Sequence, residues 1–243
     1  EPNRHRPSFL FLKFMDAHYH VNITARPGVV EGEVPQDPEL LKYLYDALQA
    51  DDYEVDHALV EGLIRQYDVG IANADLGVGQ LIALLEEQGL MEKTLVIVTS
   101  DHGEFLGEFR YVGHSKDVYQ PAIGAPLLIR PPRQDRPERV TRTVSLNDIP
   151  AIVLEQVLGS ESEKAWPSFW KGNSSRAPVI AENYYSRSWD VFHETGGHRY
   201  WRVRAALYDW PWKFIRSSDG VHELYHLEGD PAEQDNRLAA EPV

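Results

Sequence analysis

Two apolar runs of strand length enclose a long helical period, and that order restricts the fold more than any other feature of the chain. Ser8-Phe9-Leu10-Phe11-Leu12-Lys13-Phe14-Met15 and Thr94-Leu95-Val96-Ile97-Val98-Thr99-Ser100 are nearly continuous apolar runs. Such runs are the mark of strands buried on both faces. Between them, from His57 to Leu90, the positions Leu63, Tyr67, Ile71, Ala74, Val78, Leu81 and Leu85 recur every three or four residues. That spacing is one helical stripe. A helix joining two such strands is a βαβ unit, which predicts a parallel sheet. Gly70, Gly77 and Gly79 weaken the helix locally, each by up to ~1 kcal/mol relative to alanine, and Gly89 is placed to cap it. A third strand is expected at Ala125–Arg130 and a further helix at Val144–Leu158.

The texture changes after Gly159. Arg202–Leu207, Trp212–Arg216 and His222–Leu227 read as short strands joined by turns, with Ser217-Ser218-Asp219-Gly220 the strongest turn signal. This predicts two parts: an α/β domain over 1–160 and a small antiparallel α+β subdomain over 161–243. Residues 31–61 hold ten acidic side chains against Lys42 alone, so they carry 10 − 1 = 9 of the 14 net negative charges. They read as a solvated acidic face. Arg130, Arg133, Arg136, Arg139 and Arg142 recur every third residue among prolines and read as a solvated loop. Trp166, Trp170, Trp189, Trp201, Trp210 and Trp212 crowd the last third of the chain and are expected to pack its core.

Composition excludes several classes. A net charge of −14 gives no basic footprint for nucleic acid. The chain contains no cysteine, which removes disulfides, thiolate catalysis and thiolate-bound zinc from these residues. No uninterrupted apolar run approaches the ~20 residues of a membrane span. The start, Glu1-Pro2-Asn3-Arg4, carries no initiator Met and no signal-peptide pattern, as expected of a processed chain or a piece of a longer one. Two sequons, Asn22-Ile23-Thr24 and Asn173-Ser174-Ser175, are short enough to arise by chance.

In an open parallel sheet, ligands bind beyond the carboxyl ends of the strands. Two histidine-bearing segments fall there: Asp16-Ala17-His18-Tyr19-His20 after the first run, and Asp101-His102-Gly103-Glu104 after the second. An aspartate and a histidine at a strand mouth can ligate one cation. The bland reading of the same pair is a strand-end cap beside a surface histidine.

The wider context adds to this. Ser100-Asp101-His102-Gly103-Glu104-Phe105-Leu106-Gly107-Glu108, then Gly113-His114-Ser115-Lys116-Asp117-Val118-Tyr119, then Ala125-Pro126-Leu127-Leu128-Ile129 resembles the sulfatase branch of the alkaline phosphatase superfamily. Phe14-Met15-Asp16-Ala17-His18, the helix segment from Tyr67-Asp68 to Asp75 and Gly79, Trp212–Arg216, and Glu223-Leu224-Tyr225 through Asp230-Pro231 resemble further family segments in the same order. The resemblance implies an alkaline-phosphatase-like parallel or mixed sheet flanked by helices, followed by the small antiparallel subdomain.

It also implies hydrolysis of a sulfate ester, on a small molecule or a glycan, with a divalent cation. Calcium is the first expectation, with manganese or zinc as alternatives. Asp101 and His102 match the family's metal-ligand pair. His18 matches a histidine near the leaving-group oxygen. His114 or Lys116 would hold the remaining sulfate charge. His114 is favoured, because Gly-His is itself a common variant, and His20 and Glu104 are second choices. The family's formylglycine nucleophile, made from Cys or Ser in x-Pro-x-Arg, has no counterpart in this sequence. Family members are about twice as long, so the chain is expected to be a carboxyl-terminal half that either meets an amino-terminal half or self-associates. Two other readings follow: a phosphodiesterase, phosphonate hydrolase or phosphotransferase of the same superfamily, or a non-catalytic relative acting as a binding module. Members are often secreted, periplasmic or lysosomal, which leaves localisation open.

Overall fold

A computed structural model of the chain describes residues 8–18, 40–49, 56–133, 139–140, 143–158, 178–184, 188–193 and 196–241. His20, both sequons, Arg136, Arg142, Trp166, Trp170 and the expected boundary at 160/161 lie outside them. Helix α1 spans Leu40–Gln49 and α2 His57–Glu87. Strand β1 (Val96–Thr99) follows, then the short strands β2 (Phe105–Leu106) and β3 (Val112–Gly113). The single turn α3 (Gln120–Ile123), β4 (Leu127–Arg130) and α4 (Ile149–Leu158) complete the first part. The second part is β5 (Val179–Asn183), α5 (Ser188–Val191), β6 (Arg204–Asp209), β7 (Trp212–Ser217) and β8 (Glu223–His226).

Helix α2 forms where the stripe predicts it. Asp56 caps it by accepting a hydrogen bond from the Ala58 amide at 2.9 Å, which satisfies one of the amides a helix start leaves open. Gln88 and Gly89 close the far end by donating to the Leu84 and Glu86 carbonyls. Residues 14–17 cross α2 at its glycines. A Cβ at Gly70 would stand 2.1 Å from the Asp16 carbonyl oxygen, and one at Gly77 2.5 Å from the Phe14 ring. The missing side chains therefore make the seat for this segment. One 18-residue window of α2 has a mean hydropathy of 1.3, so the helix is long and apolar enough to cross a membrane by length and composition alone. It packs on α1 and under residues 14–17, and 11% of that window is buried.

The glycine seat makes a prediction. Alanine in a helix gains up to ~1 kcal/mol over glycine, but forcing a methyl into a filled space costs about 1–3 kcal/mol. Gly70→Ala is expected to lower stability, whereas Gly79→Ala, where nothing lies within 4 Å, is expected to raise it. Urea midpoints of both variants check this. A stabilised Gly70→Ala would show that residues 14–17 do not sit on the helix.

Two strand expectations change. Residues 8–15 join no ladder among the described residues. Phe9, Leu10 and Phe11 are exposed at 81%, 70% and 76%. A strand exists only where its amides and carbonyls pair with a neighbour, and apolar content alone supplies none. Second, β1 pairs with β4 antiparallel, with Thr99 opposite Leu127 and Val96 opposite Arg130. The intervening chain leaves β1 at Ser100 and re-enters β4 beside Thr99, whose hydroxyl donates to the Pro126 carbonyl at 2.7 Å. The whole excursion from 100 to 126 thus begins and ends at the carboxyl end of β1, the end where the sequence places the chemistry.

The carboxyl-terminal sheet runs β5-β6-β7-β8, every neighbour antiparallel. Its inner face shares one core with the excursion: Phe105, Tyr111, Val118, Tyr119 and Ala122 pack with Tyr200, Ala206, Tyr208, Ile215, Tyr225 and Leu227. Tyrosines rather than tryptophans fill this core. Trp201 and Trp210 stand exposed at 68% and 51%, against expectation, because Trp210 lies in the β6–β7 turn and Trp201 precedes β6. The outer ends of the excursion are held by buried charge. The Lys213 ammonium donates to the Val118 carbonyl at 2.8 Å and pairs with Glu233. Glu233 also accepts from the Gln120 amide at 2.6 Å. Burial pulls the Lys213 pKa below its usual value and pushes Glu233 above its own, while their mutual attraction opposes both.

Candidate active site

The site grows from the register of β2 and β3. Phe105 pairs with Gly113 and Leu106 with Val112, so continuing the ladder one step outward brings Glu104 opposite His114. The His114 Nδ1 lies 3.2 Å from each Glu104 carboxylate oxygen, and both residues are buried. Because a carboxylate only accepts, this contact has the imidazole donating from Nδ1. Ahead of β2, the Gly103 amide donates to the Ala122 carbonyl at 2.7 Å. A Cβ on Gly103 would stand 2.1 Å from the Pro121 carbonyl oxygen. Only glycine permits this approach, and it turns His102 back over the pair. The His102 Nδ1 donates to the Gly103 carbonyl at 2.8 Å, and its ring centroid lies 4.3 Å from that of His114.

His18 arrives from the other side. The segment over Gly70 turns at Met15, whose carbonyl accepts from the His18 amide at 3.1 Å. The His18 and His114 ring centroids are 5.4 Å apart and edge-on. Three imidazoles and one carboxylate therefore converge from two distant stretches of sequence. Asp101 sits at the rim, its carboxylate 3.8 Å from the His102 Nε2 and its side chain 78% exposed. Tyr67, from α2, borders the cluster: burial, then the Glu104 and Asp68 carboxylates, raise the pKa of its phenol.

Lys116 does not join them. Ser115 has a φ of 60, a left-handed conformation that costs a non-glycine residue about 1 kcal/mol. The chain reverses there, so His114 turns toward Glu104 and Lys116 turns toward Asp190. Lys116 pairs with the fully buried Asp190 carboxylate, and its ammonium lies 5.6 Å from the Tyr200 ring centroid. Next along the chain, Asp117 accepts from Arg204 at 2.8 Å through both oxygens and from Arg202 at 3.0 Å. The carboxyl-terminal sheet thus grips the chain directly after His114.

Of the residues singled out in the sequence, His18, His102 and His114 meet, Asp101 lines the rim, and Lys116 faces a different partner. Glu104, a second choice by sequence, is central. Its signal is the alternation of β2, which becomes decisive only once β3 is known to pair with it. Tyr67 carries no signal beyond its place on the helical stripe.

Comparisons with known proteins place the chain. A family model described as Sulfatase matches residues 1–160. The choline-sulfatase of Rhizobium meliloti (strain 1021) is 26% identical over 239 residues, which is 98% of this chain and 45% of that protein. Arylsulfatase K of Bos taurus is 30% identical over 190 residues, 70% of this chain and 32% of that one. Among solved structures, a phosphonate monoester hydrolase from Silicibacter pomeroyi superposes with a TM-score of 0.57 at 25% identity, covering 79% of this chain and 39% of its own. A 2-O GAG sulfatase gives a TM-score of 0.62 at 16% identity over 92% of this chain and 51% of its own, a likeness of fold alone. The chain spans from about a third to about half of the length of these proteins.

Proposed function

This chain belongs to the sulfatase family, and we propose that its histidine cluster is the metal- and anion-binding half of a sulfuric ester hydrolase site. The observation that carries the reading is the convergence of His18, His102, Glu104 and His114 at the carboxyl end of β1. The division into an α/β part over 1–160 and an antiparallel part over 161–243 belongs to the same proposal.

The roles follow from chemistry. Sulfur transfer from an ester expels an alkoxide, a poor leaving group until it gains a proton. His18, edge-on to His114, would supply that proton; a positioned acid of this kind contributes about 10²–10⁴-fold. His114 would face the sulfate oxygens. Asp101 and His102 supply two donors 3.8 Å apart at the rim of the cluster, a set that fits a divalent cation. When bound, such a cation neutralises developing charge on the sulfate. Calcium takes six to eight oxygen donors, more than this pair offers, so the remainder would come from outside these residues. We assign the nucleophile to an amino-terminal half as well, since the sequence holds neither cysteine nor Ser-x-Pro-x-Arg.

A second reading keeps the site and changes the ester. The likeness to a phosphonate monoester hydrolase, together with a histidine directly after Asp101, favours a phosphonate or phosphate monoester as the alternative substrate.

The 243-residue chain alone is expected to release no sulfate from an aryl sulfate in the presence of calcium, manganese or zinc. Turnover above a heat-killed control, lost in Asp101→Ala, would mean that the chain carries its own nucleophile and that the half-site assignment is wrong.

A further inference from the structure

The β2–β3 hairpin has two faces, and the histidine cluster uses one of them. Side chains alternate along a strand, and directly opposed pairs share a face. Leu106 and Val112 oppose each other and pack with Leu44 and Leu63 of the helices. Glu104 and His114, two positions further along each strand, fall on that same face. Phe105 and Tyr111 fall on the other, in the core shared with the carboxyl-terminal sheet. At the turn of the hairpin, Tyr111 on this second face borders a cleft of about 510 Å³, a volume that small ligands fill. Arg110, Arg199, Arg202 and His198 line it beside the rings of Phe109 and Tyr119.

We propose that this cleft binds an oxyanion of the sulfate class, free or carried on a sugar, on the opposite face of the hairpin from the histidine cluster. A chain of net charge −14 sets three arginines here against one aspartate, Asp219. Arg202 is answered by Asp117 at 3.0 Å and Asp219 at 3.5 Å. Arg199 is answered by no carboxylate among the described residues. Its Nη1 donates to the Arg110 carbonyl at 3.2 Å and the Leu48 carbonyl at 3.5 Å, and its Nη2 to the Phe109 carbonyl at 2.6 Å. Its guanidinium lies 4.4 Å from the Tyr111 ring centroid. Carbonyls take up its donors and leave its charge, which an anion would complete.

The turn is built to hold this arrangement. Phe109 and Arg110 are both left-handed, with φ of 54 and 58. Such backbone persists only where its surroundings over-determine it, and Arg199 grips the carbonyls of these same two residues. Phe109 is stacked on Tyr119, with centroids 3.8 Å apart and planes 3° from parallel. Guanidinium groups supply paired donors that match the oxygens of a sulfate or carboxylate. The rings beside them supply flat apolar surface for the carbon face of a sugar. Binding here does not depend on the sulfatase reading.

The test uses the 243-residue chain at constant ionic strength. Sodium sulfate, a chondroitin sulfate tetrasaccharide and the neutral chitotetraose are the probes. The readout is the rate at which phenylglyoxal modifies each arginine, followed by peptide mass spectrometry. At ten times its Kd a ligand leaves about one site in eleven free, so modification of Arg110 and Arg199 is expected to slow by about tenfold. Arg237, outside the cleft, should react as before. This readout is of the unmutated protein and stands even if a variant misfolds. Arg110→Gln is expected to weaken the protection of Arg199 by about 10–100-fold in ligand concentration, the loss of one charge-assisted contact. His114→Gln, which alters the other face of the hairpin, should leave that protection in place. Protection by the tetrasaccharide at a lower concentration than sulfate assigns a sugar-borne anion; protection by sulfate at an equal or lower concentration assigns the free ion. The site would be overturned by no slowing with either anion, by chitotetraose protecting as well as the sulfated probe, or by protection lost in His114→Gln and kept in Arg110→Gln. Protection in a full-length gene product that hydrolyses no sulfate or phosphonate ester would refute the proposed function and leave this site standing.

Discussion

Replacing Arg204 with methionine is expected to destabilise the protein by about 3–5 kcal/mol, the cost of leaving buried charges without their partner. Arg204 is 1% exposed. It donates to both Asp117 oxygens at 2.8 Å and lies 2.5 Å from a Glu223 oxygen. Burial alone works against the charge of its guanidinium. Asp117, Tyr119 and Glu223 outweigh it and hold the pKa above the ordinary arginine value. In the variant, Asp117 keeps Arg202 at 3.0 Å. Among the described residues Glu223 then keeps neutral donors, the Tyr119 and Tyr225 hydroxyls at 2.8 and 3.1 Å. The larger share of the loss therefore falls on Glu223. Lysine restores the charge but not the fork that reaches two carboxylates at once, so Arg204→Lys should recover only part of the stability. Urea unfolding of the three proteins decides this. A loss under ~1 kcal/mol in Arg204→Met would show that the pair contributes no more than a surface bridge.

His114 and Lys116 are expected to separate cleanly when each is replaced in the full-length product of the gene. His114→Gln keeps a donor for Glu104 but loses the imidazole. We expect kcat/KM for an aryl sulfate to fall by about 10²–10³-fold, the usual cost of removing one group that stabilises transition-state charge, with little change in the urea midpoint. Lys116→Met leaves Asp190, fully buried, without its ammonium. That should cost about 3–5 kcal/mol of stability, while kcat/KM per folded molecule stays within ~10-fold of wild type. The two effects come from one backbone feature, the left-handed Ser115, which sends the flanking side chains to different partners. A crippled Lys116→Met beside an unimpaired His114→Gln would assign the anion-binding role to Lys116.

How far the sequence could be read depended on whether a feature is local. The period of α2, the runs that became β1 and β4, and the turns between β6, β7 and β8 are set by neighbouring residues, and they appear within a few positions of where the sequence puts them. Pairing is not local. Apolar content marked residues 8–15 and 94–100 alike as strands, but only the second finds a ladder among the described residues, and its partner runs antiparallel. Helix α1 was hidden in a segment that reads as an acidic solvated face, although Leu44, Ala47 and Leu48 bury one side of it. His18 and His102 were legible because strand-end positions and motif likeness both point to them, and His114 through motif likeness alone. Glu104 gained its place only through the β2–β3 register. The diversion of Lys116 required Asp190, 74 residues away, which no spacing rule connects to it.

The most direct test is the rate at which the full-length gene product hydrolyses an aryl sulfate, measured beside an aryl phosphonate, for wild type and for His18→Ala. The account predicts sulfate ester turnover that falls by about 10²–10⁴-fold when the leaving-group acid is removed. The loss should be smallest for substrates whose alcohol is already acidic enough to leave unprotonated. Efficient phosphonate turnover with negligible sulfate turnover would move the chain to the second reading. Hydrolysis of neither ester, or sulfate hydrolysis indifferent to His18→Ala across alcohols of every acidity, would contradict the assignment of the cluster as a sulfuric ester hydrolase site.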